Sequence, residues 1–255
     1  MKILVTGSKG FIGRNLIEEL GKNKEMEVFE FDKDTDPHTL HYFAKECDFV
    51  FHLAAVHRPK DLTEFEKVNY LFFADLLKRL RDYDNKCPVV LTSSIQASNN
   101  SAYGRSKFAA ENELRKHAEI IESRAIIYRL TNTFGRYAKP NHHSVVATFC
   151  YNIARGLPIE ISDPEHVMKL YYIDDVIDSF LSHLNNNIEP DPDGFYRLPE
   201  DLEYEITLKE LADTIYLIKD KLDRGISLDY QDVFIKKLYK TYLTYLFAQA
   251  EDLIL

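Results

Sequence analysis

The chain has 255 residues, 45% of them hydrophobic and 29% charged, with a net charge of −9 at neutral pH. That length can bury a full core and fits one α/β domain with an attached lobe, and the composition is that of a folded globular protein rather than a disordered one. The acidic balance opposes general binding to nucleic acid or to an anionic membrane, and no apolar run reaches the roughly 18 residues needed to span a bilayer.

The run Lys2-Ile3-Leu4-Val5-Thr6 reads as a buried strand, Gly7-Ser8-Lys9-Gly10-Phe11-Ile12-Gly13 as a glycine turn, and Leu16, Ile17 and Leu20 as the apolar face of the helix that follows. Strand, glycine turn and helix in that order form a dinucleotide site. Gly7 allows the tight turn, Gly10 lets the backbone approach a pyrophosphate, Gly13 lets the helix pack closely, and the helix N-terminus offers amide N–H groups to the anion. The spacing is GxxGxxG rather than the commoner GxGxxG.

Glu27-Val28-Phe29-Glu30-Phe31-Asp32 alternates like a second strand and ends in an acid nineteen residues after Gly13. An acid there normally binds a ribose 2′-hydroxyl, whereas Lys33 next to it attracts a 2′-phosphate, so signals for both NADH and NADPH are present. Asp48 to Ala55 reads as a buried parallel strand ending in small residues that let a dinucleotide pass close by. His52 and His57 flank its end, where packing or hydrogen bonding is the expected role. From Leu62 to Tyr83 the pattern is helical. Its apolar positions (Phe65, Val68, Leu71, Phe72, Phe73, Leu76, Leu77, Leu80) cover an arc wider than one buried face needs, which predicts an additional interface and hence a dimer. Asn69 within it reads as structural.

Val89-Val90-Leu91 leads to Ser94, whose hydroxyl is expected at the carboxyl end of a strand, where open α/β sheets bind ligands. Tyr103 and Lys107 lie four residues apart, so a helix beginning near Ala102 places both on one face, one turn apart. A hydroxyl, a phenol and an ammonium so spaced suit carbonyl reduction, the ammonium being expected to pull the phenol down from its usual pKa near ~10.

Ala125 to Leu130 is strand-like and runs into Thr131 to Arg136, predicted as a turn that starts the substrate lobe, with Asn132 and Arg136 as candidate substrate contacts. His142 and His143 have no carboxylate or Cys at ligand spacing and read as loop residues ahead of an amphipathic helix through Ile153. Leu170 to Val176 is a short strand turning into a helix, with Asp174 and Asp175 in capping positions. Asn185 to Gly194 is a loop, Thr207-Leu208-Lys209-Glu210 is a capping box opening a helix, and Val233 to Leu255 is helical. Cys47, Cys87 and Cys150 are odd in number, widely spaced and in apolar surroundings, which suggests reduced core thiols; with no signal-peptide pattern at the start, a cytoplasmic protein is expected. No metal site is expected.

The set TGxxGxxG at the first turn, His52-Leu53-Ala54-Ala55 after the fourth strand, Ser93-Ser94-Ile95-Gln96, Tyr103-Gly104-Arg105-Ser106-Lys107 and Tyr172-Ile173-Asp174-Asp175-Val176 resembles the extended short-chain dehydrogenase/reductase family over nearly the whole chain. The resemblance implies a Rossmann-type doubly wound parallel α/β sheet with a small C-terminal substrate-binding lobe. About 1–132 plus parts of 145–185 would form the NAD(P)-binding core, and about 133–144 and 186–255 the lobe. It implies Ser94, Tyr103 and Lys107 as catalytic residues. Gly7, Ser8, Lys9, Gly10, Phe11, Ile12, Gly13, Asp32, Lys33, Leu53, Ala54, Ala55 and Leu130 would contact the cofactor, with Tyr103 and Lys107. Ser94, Gln96, Asn132 and Arg136 would contact substrate.

Within the family, segments such as His52 to Lys60, Tyr128 to Asn141 and Ser144 to Arg155 are similar to the reductase part of bifunctional capsular polysaccharide enzymes. That similarity implies reduction of the 4-keto group of a UDP-2-acetamido-2,6-dideoxyhexos-4-ulose toward UDP-N-acetyl-L-fucosamine. NADP(H) would be favoured over NAD(H), and a homodimer would form through the 62–83 and 102–118 helices. Those enzymes continue into a zinc-binding cupin domain that epimerises C3, which this sequence does not contain, so C3 epimerisation is not expected of it. A nucleotide-sugar 4-epimerase with tightly bound NAD, or a cofactor-binding remnant without catalysis, remains open. Dehydration is disfavoured, because Ile95 and Gln96 do not supply the acids it needs.

Overall fold

A computed structural model describes residues 1–142, 144–186, 188–227 and 231–248. It divides into two compact units, Met1–Leu130 with Ile177–Arg197, and Thr131–Val176 with Leu198–Leu255.

The first unit is built on β1 (Lys2–Thr6), β2 (Glu27–Phe31), β3 (Phe49–His52), β4 (Val89–Ser94) and β5 (Ala125–Leu130), in the order β2-β1-β3-β4-β5 with every pairing parallel. Register places Thr6 beside both Phe31 and His52, and Ser94 beside Leu130, so the strand ends carrying the predicted site share one edge of the sheet. The order reverses between β1 and β3, the position at which open parallel sheets bind ligands.

Helices α1 (Phe11–Leu20), α2 (Thr39–Glu46), α3 (Thr63–Glu66), α4 (Phe72–Asp82) and α5 (Ala102–Ile121) make the crossovers. Burial on both faces explains the near-continuous apolar runs of the strands. Val50 joins the core of Phe73, Leu76, Leu77 and Leu80, whereas Phe51 points the other way and stacks on Phe180 with ring centroids 6.1 Å apart.

Three expectations are corrected. Residues 39–46 form a helix, so the His52 to Ala55 segment follows the third strand and not the fourth. The 62–83 segment is not one uniform helix: Lys67–Leu71 is a π-helical turn between α3 and α4, and its wide apolar arc is mostly used inside the unit, with Phe65, Phe73, Leu76, Leu77 and Leu80 buried. Leu62 and Leu71 remain exposed. Asn132–Phe134 is a strand, β6, rather than a turn.

In the second unit β6 pairs in parallel with β7 (Val167–Tyr172), and β7 pairs antiparallel with β8 (Glu203–Thr207). Around this sheet lie α6 (Val145–Ala154), α8 (Leu208–Asp223) and α9 (Val233–Phe247); α7 (Ile173–Asn185) starts in this unit and ends in the first. The capping box at the start of α8 forms as read: Thr207 Oγ1 accepts from the Glu210 amide at 3.1 Å, and the Glu210 carboxylate accepts from the Thr207 amide at 3.0 Å. Asp175 is not simply a cap, since its carboxylate accepts from Lys237 Nζ at 2.6 Å. Tyr245, buried in α9, donates to the Ala138 carbonyl at 2.6 Å and so holds the loop after β6.

All three cysteines are buried and unbridged, with the sulfurs of Cys47 and Cys87 3.8 Å apart. Among the described residues no helix is long and apolar enough to cross a membrane, and no group of three or more His, Cys, Asp or Glu could hold a metal ion. His143 of the paired histidines and the tail beyond Ala248 lie outside the described residues.

Candidate active site

The glycine turn leaves β1 with Gly7 at φ +71°, a left-handed conformation that disfavours a side chain. A Cβ there would also lie 2.7 Å from the Ala54 amide nitrogen, so the turn after β1 and the small residues after β3 touch backbone to backbone. At Gly13 a Cβ would fall 2.2 Å from the Gly7 carbonyl oxygen and 2.8 Å from that of Ser8. The first turn of α1 therefore rests directly on the loop. Gly10 precedes α1 in extended conformation and provides no side-chain cap, so the amides of Phe11, Ile12 and Gly13 keep the open N–H geometry that an anion fills. This cradle fits a dinucleotide pyrophosphate.

Asp32 follows β2 directly. Its two carboxylate oxygens accept from the Lys9 and Lys33 amides, each at 2.8 Å, and its own amide donates to Thr35 Oγ1 at 2.9 Å. The acid is thus fixed against the glycine turn, as a ribose-binding carboxylate requires. The Lys9 ammonium pairs with Asp34, while Lys33 is exposed.

Ser94 ends β4 and caps the 3₁₀ turn Ile95–Ser98, its Oγ accepting from the Gln96 amide at 3.2 Å. Ser101 caps α5 by accepting from the Gly104 amide at 2.9 Å, which fixes the helix start and hence the direction of Tyr103. Tyr103, at the start of α5, lies beside the 3₁₀ turn that Ser94 caps and packs against the rings of His57, at 4.5 Å, and Phe65, at 5.7 Å. One turn on, Lys107 is buried, donates to the Thr92 carbonyl at 2.8 Å and sits 6.0 Å from the Tyr103 ring centroid. Tyr103 and Lys107 lie one turn apart on α5, as their spacing predicts.

The electrostatics differ from expectation. Burial raises the Tyr103 phenol above its ordinary value of 10.0, and the nearby Ser94 hydroxyl offsets this only in part. Burial also brings Lys107 down to about 8, against a raising influence from Glu111. The ammonium points to the Thr92 carbonyl and does not make the phenol more acidic. A phenol that keeps its proton at neutral pH suits donation to a developing alkoxide, the reductive direction.

His52 is structural, as read: it is buried, shares a 2.8 Å hydrogen bond with Thr6 Oγ1, stacks on Phe73 at 4.1 Å and is kept neutral by burial and by the charge of Lys107. Asn69 is structural too. Its amide closes on the Val56 backbone at 2.7 and 3.0 Å and donates to Ser106 Oγ at 3.1 Å, tying the loop after β3 to α5 from within the π-helical turn. Leu130 ends β5 beside Ser94, and Gln96 is half-buried in the 3₁₀ turn. Asn132, exposed in β6, and Arg136 just after it belong to the second unit. The sequence reading missed Thr92, Ser93, Glu111 and Arg129. Glu111 had a usable signal, an acid one further turn along the Tyr103–Lys107 face.

A model of the NAD dependent epimerase/dehydratase family matches residues 3–196. The chain belongs to that family. Among epimerase/dehydratase relatives, the UDP-2-acetamido-2,6-beta-L-arabino-hexul-4-ose reductase of Pseudomonas aeruginosa is 36% identical over 246 residues, covering 96% of this chain and 65% of its own length. The dTDP-4-dehydro-6-deoxyglucose reductase of Escherichia coli is 24% identical, covering 90% of this chain and 84% of that protein. Among solved structures, the capsular polysaccharide assembling protein CapF of Staphylococcus aureus superposes with TM-score 0.85 at 32% identity, covering all of this chain and 67% of its own. This member of the family therefore spans about two thirds of the length of both the Pseudomonas and the Staphylococcus proteins. The UDP-glucuronic acid 4-epimerase of Bacillus cereus, with NAD, shares the fold at TM-score 0.79 and 17% identity, covering 97% of this chain and 100% of its own.

Proposed function

We propose that the chain is an NAD(P)H-dependent nucleotide-sugar reductase acting on the 4-keto group of a UDP-2-acetamido-2,6-dideoxyhexos-4-ulose, in the synthesis of a capsular or surface polysaccharide precursor in the cytoplasm. The observation that carries this reading is the placing of Ser94 at the end of β4 beside Tyr103 at the start of α5, with Lys107 one turn along and seated on the Thr92 carbonyl. The name of the Pseudomonas relative supplies the sugar.

A nicotinamide dinucleotide held at the glycine turn would supply hydride to the sugar C4. Tyr103 would give its proton to the oxygen that becomes the alkoxide, Ser94 would hydrogen-bond the same oxygen, and Lys107 would hold the nicotinamide ribose and keep positive charge beside the phenol. Gln96, Asn132 and Arg136 are proposed to contact the sugar nucleotide. The test is substrate-dependent oxidation of NADPH or NADH. Purified protein that carries stoichiometric NAD and interconverts C4 epimers without net cofactor oxidation would instead select the 4-epimerase reading, and cofactor binding with no turnover the non-catalytic one.

NADP(H) is the proposed preference over NAD(H). Asp32 already accepts from two amides, which disperses its charge, and the Lys9 ammonium is paired with Asp34, so the exposed Lys33 is the cation at this strand end proposed to meet a 2′-phosphate. Lys33→Ala is expected to weaken NADPH binding about tenfold, the equivalent of ~1.4 kcal/mol, and to leave NADH binding unchanged. Fluorescence titration with the two cofactors reads this directly, and a wild-type protein that binds NADH more tightly than NADPH would overturn the preference.

A homodimer through the 62–83 and 102–118 helices is also proposed, because Leu62, Leu71 and Phe108 are large apolar side chains left exposed on them. Sedimentation of the wild-type protein is expected to show a dimer that Phe108→Glu dissociates. A wild-type monomer at micromolar concentration would remove the proposal.

A further inference from the structure

Tyr103, Lys107 and Glu111 occupy successive positions four residues apart on α5, so one face of the helix carries a phenol, an ammonium and a carboxylate in a row. Glu111 is almost fully buried, at 1% exposure, where an ionised carboxylate is costly without partners. It has them. Arg129 of β5 donates to both of its oxygens, from Nε at 2.9 Å and from Nη2 at 2.7 Å, and Ser93 Oγ donates to Oε1 at 2.5 Å. The guanidinium is covered in turn by the Phe195 ring, 4.0 Å from its centroid. Ser93 precedes the catalytic Ser94 on β4, and the Lys107 ammonium reaches the carbonyl of Thr92 on the same strand. One buried carboxylate therefore ties β4, α5 and β5 together directly beneath the reacting groups.

Resting on the reading of this site as a reductase, we propose that Glu111 is a positioning residue: clamped by Arg129 and Ser93, its carboxylate fixes α5 on β4 and sets the surroundings in which the Lys107 ammonium is seated on the Thr92 carbonyl. The groups that face Lys107 are Tyr103 and Glu111 of α5, the Thr92 carbonyl of β4 and His52 of β3, which is neutral. Glu111 is the carboxylate that raises Lys107 against the lowering effect of burial. On α4, Arg81 is engaged a full turn or more further along, with Glu113 and His117, and does not enter this balance.

The test is an NMR titration of the Lys107 side chain in protein labelled at the lysine ε-carbon, with the resonance assigned by its loss in Lys107→Met. Lys107 in the wild-type protein is expected to titrate at about 8. Glu111→Gln is expected to move it down by about one unit. The alkaline limb of the pH profile of kcat should move down with it. Arg129→Gln removes the bidentate clamp on this buried carboxylate and is expected to move the Lys107 titration down as well. A purely structural role would lower stability in both variants without moving the Lys107 titration. A folded Glu111→Gln protein whose Lys107 titrates as in wild type would overturn the proposal. Should that variant not fold, a folded Arg129→Gln protein whose Lys107 titrates as in wild type overturns it. The titration needs neither substrate nor turnover, so its failure is distinguishable from failure of the reductase assignment.

Discussion

Tyr103→Phe is expected to abolish useful turnover while leaving cofactor binding intact. The ring packs against His57 and Phe65, contacts that phenylalanine keeps, and only the phenolic hydroxyl is lost. Removing a positioned general acid costs about 10²–10⁴-fold. Stopped-flow or steady-state assays should show that loss in kcat, with NADPH affinity unchanged by fluorescence titration. Wild-type-like turnover would remove Tyr103 from the chemistry. The pH dependence follows from the same geometry. Burial holds the phenol above its ordinary value, so Tyr103 remains a proton donor throughout the neutral range. Lys107 loses its charge first, near about 8, and activity is expected to fall on the alkaline side of that value rather than on the acid side.

Gly13→Ala is expected to disable the cofactor site by a different route. The added methyl would meet the carbonyl oxygens of Gly7 and Ser8 at 2.2 and 2.8 Å, and both are backbone atoms that cannot swing aside. Either α1 lifts from the loop or the loop opens, at a cost of about 1–3 kcal/mol typical of forced overpacking. If the strain falls on the binding conformation, that corresponds to roughly ten- to hundredfold weaker cofactor binding. Gly10→Ala is the informative contrast. Its methyl would have only the Gly7 oxygen nearby, at 3.1 Å, so the fold should survive while the approach of a pyrophosphate is obstructed. Thermal denaturation and cofactor titration of the two variants should separate: both bind less well, and Gly13→Ala alone also melts earlier. Full cofactor affinity in Gly13→Ala would contradict the close packing of α1 on the turn.

The parallel sheet and the catalytic spacing were legible because each depends on local pattern. Ile3-Leu4-Val5, Phe49-Val50-Phe51 and Val89-Val90-Leu91 announce strands buried on both faces, and the Tyr103–Lys107 spacing needs only one helical turn to become a site. What local pattern does not carry was missed. Asn132 to Phe134 looked like a turn because three residues beside a glycine carry little periodicity, yet pairing with β7 makes them a strand. The apolar arc of 62–83 exceeded a single face because the π-helical turn at Lys67–Leu71 rotates one part of the segment relative to the other, and propensity gives no warning of such a turn. The sign of the Tyr103 shift was misjudged for a related reason. Spacing along a helix places an ammonium near a phenol, but the Thr92 carbonyl, contributed by another strand, decides where that ammonium points. Spacing puts Glu111 on the Tyr103–Lys107 face, but its burial comes from the convergence of Ser93 and Arg129 from two strands, which spacing does not carry.

The most direct test of the reductase assignment is transfer of deuterium from NADPH labelled at the nicotinamide C4 to the UDP-linked 4-keto-6-deoxy amino sugar, followed by mass spectrometry and NMR of the product. One deuterium at the sugar C4, with one cofactor oxidised per sugar reduced, is the expected result. Recovery of the unreduced 4-keto sugar, without label and without net oxidation of the cofactor, would contradict it.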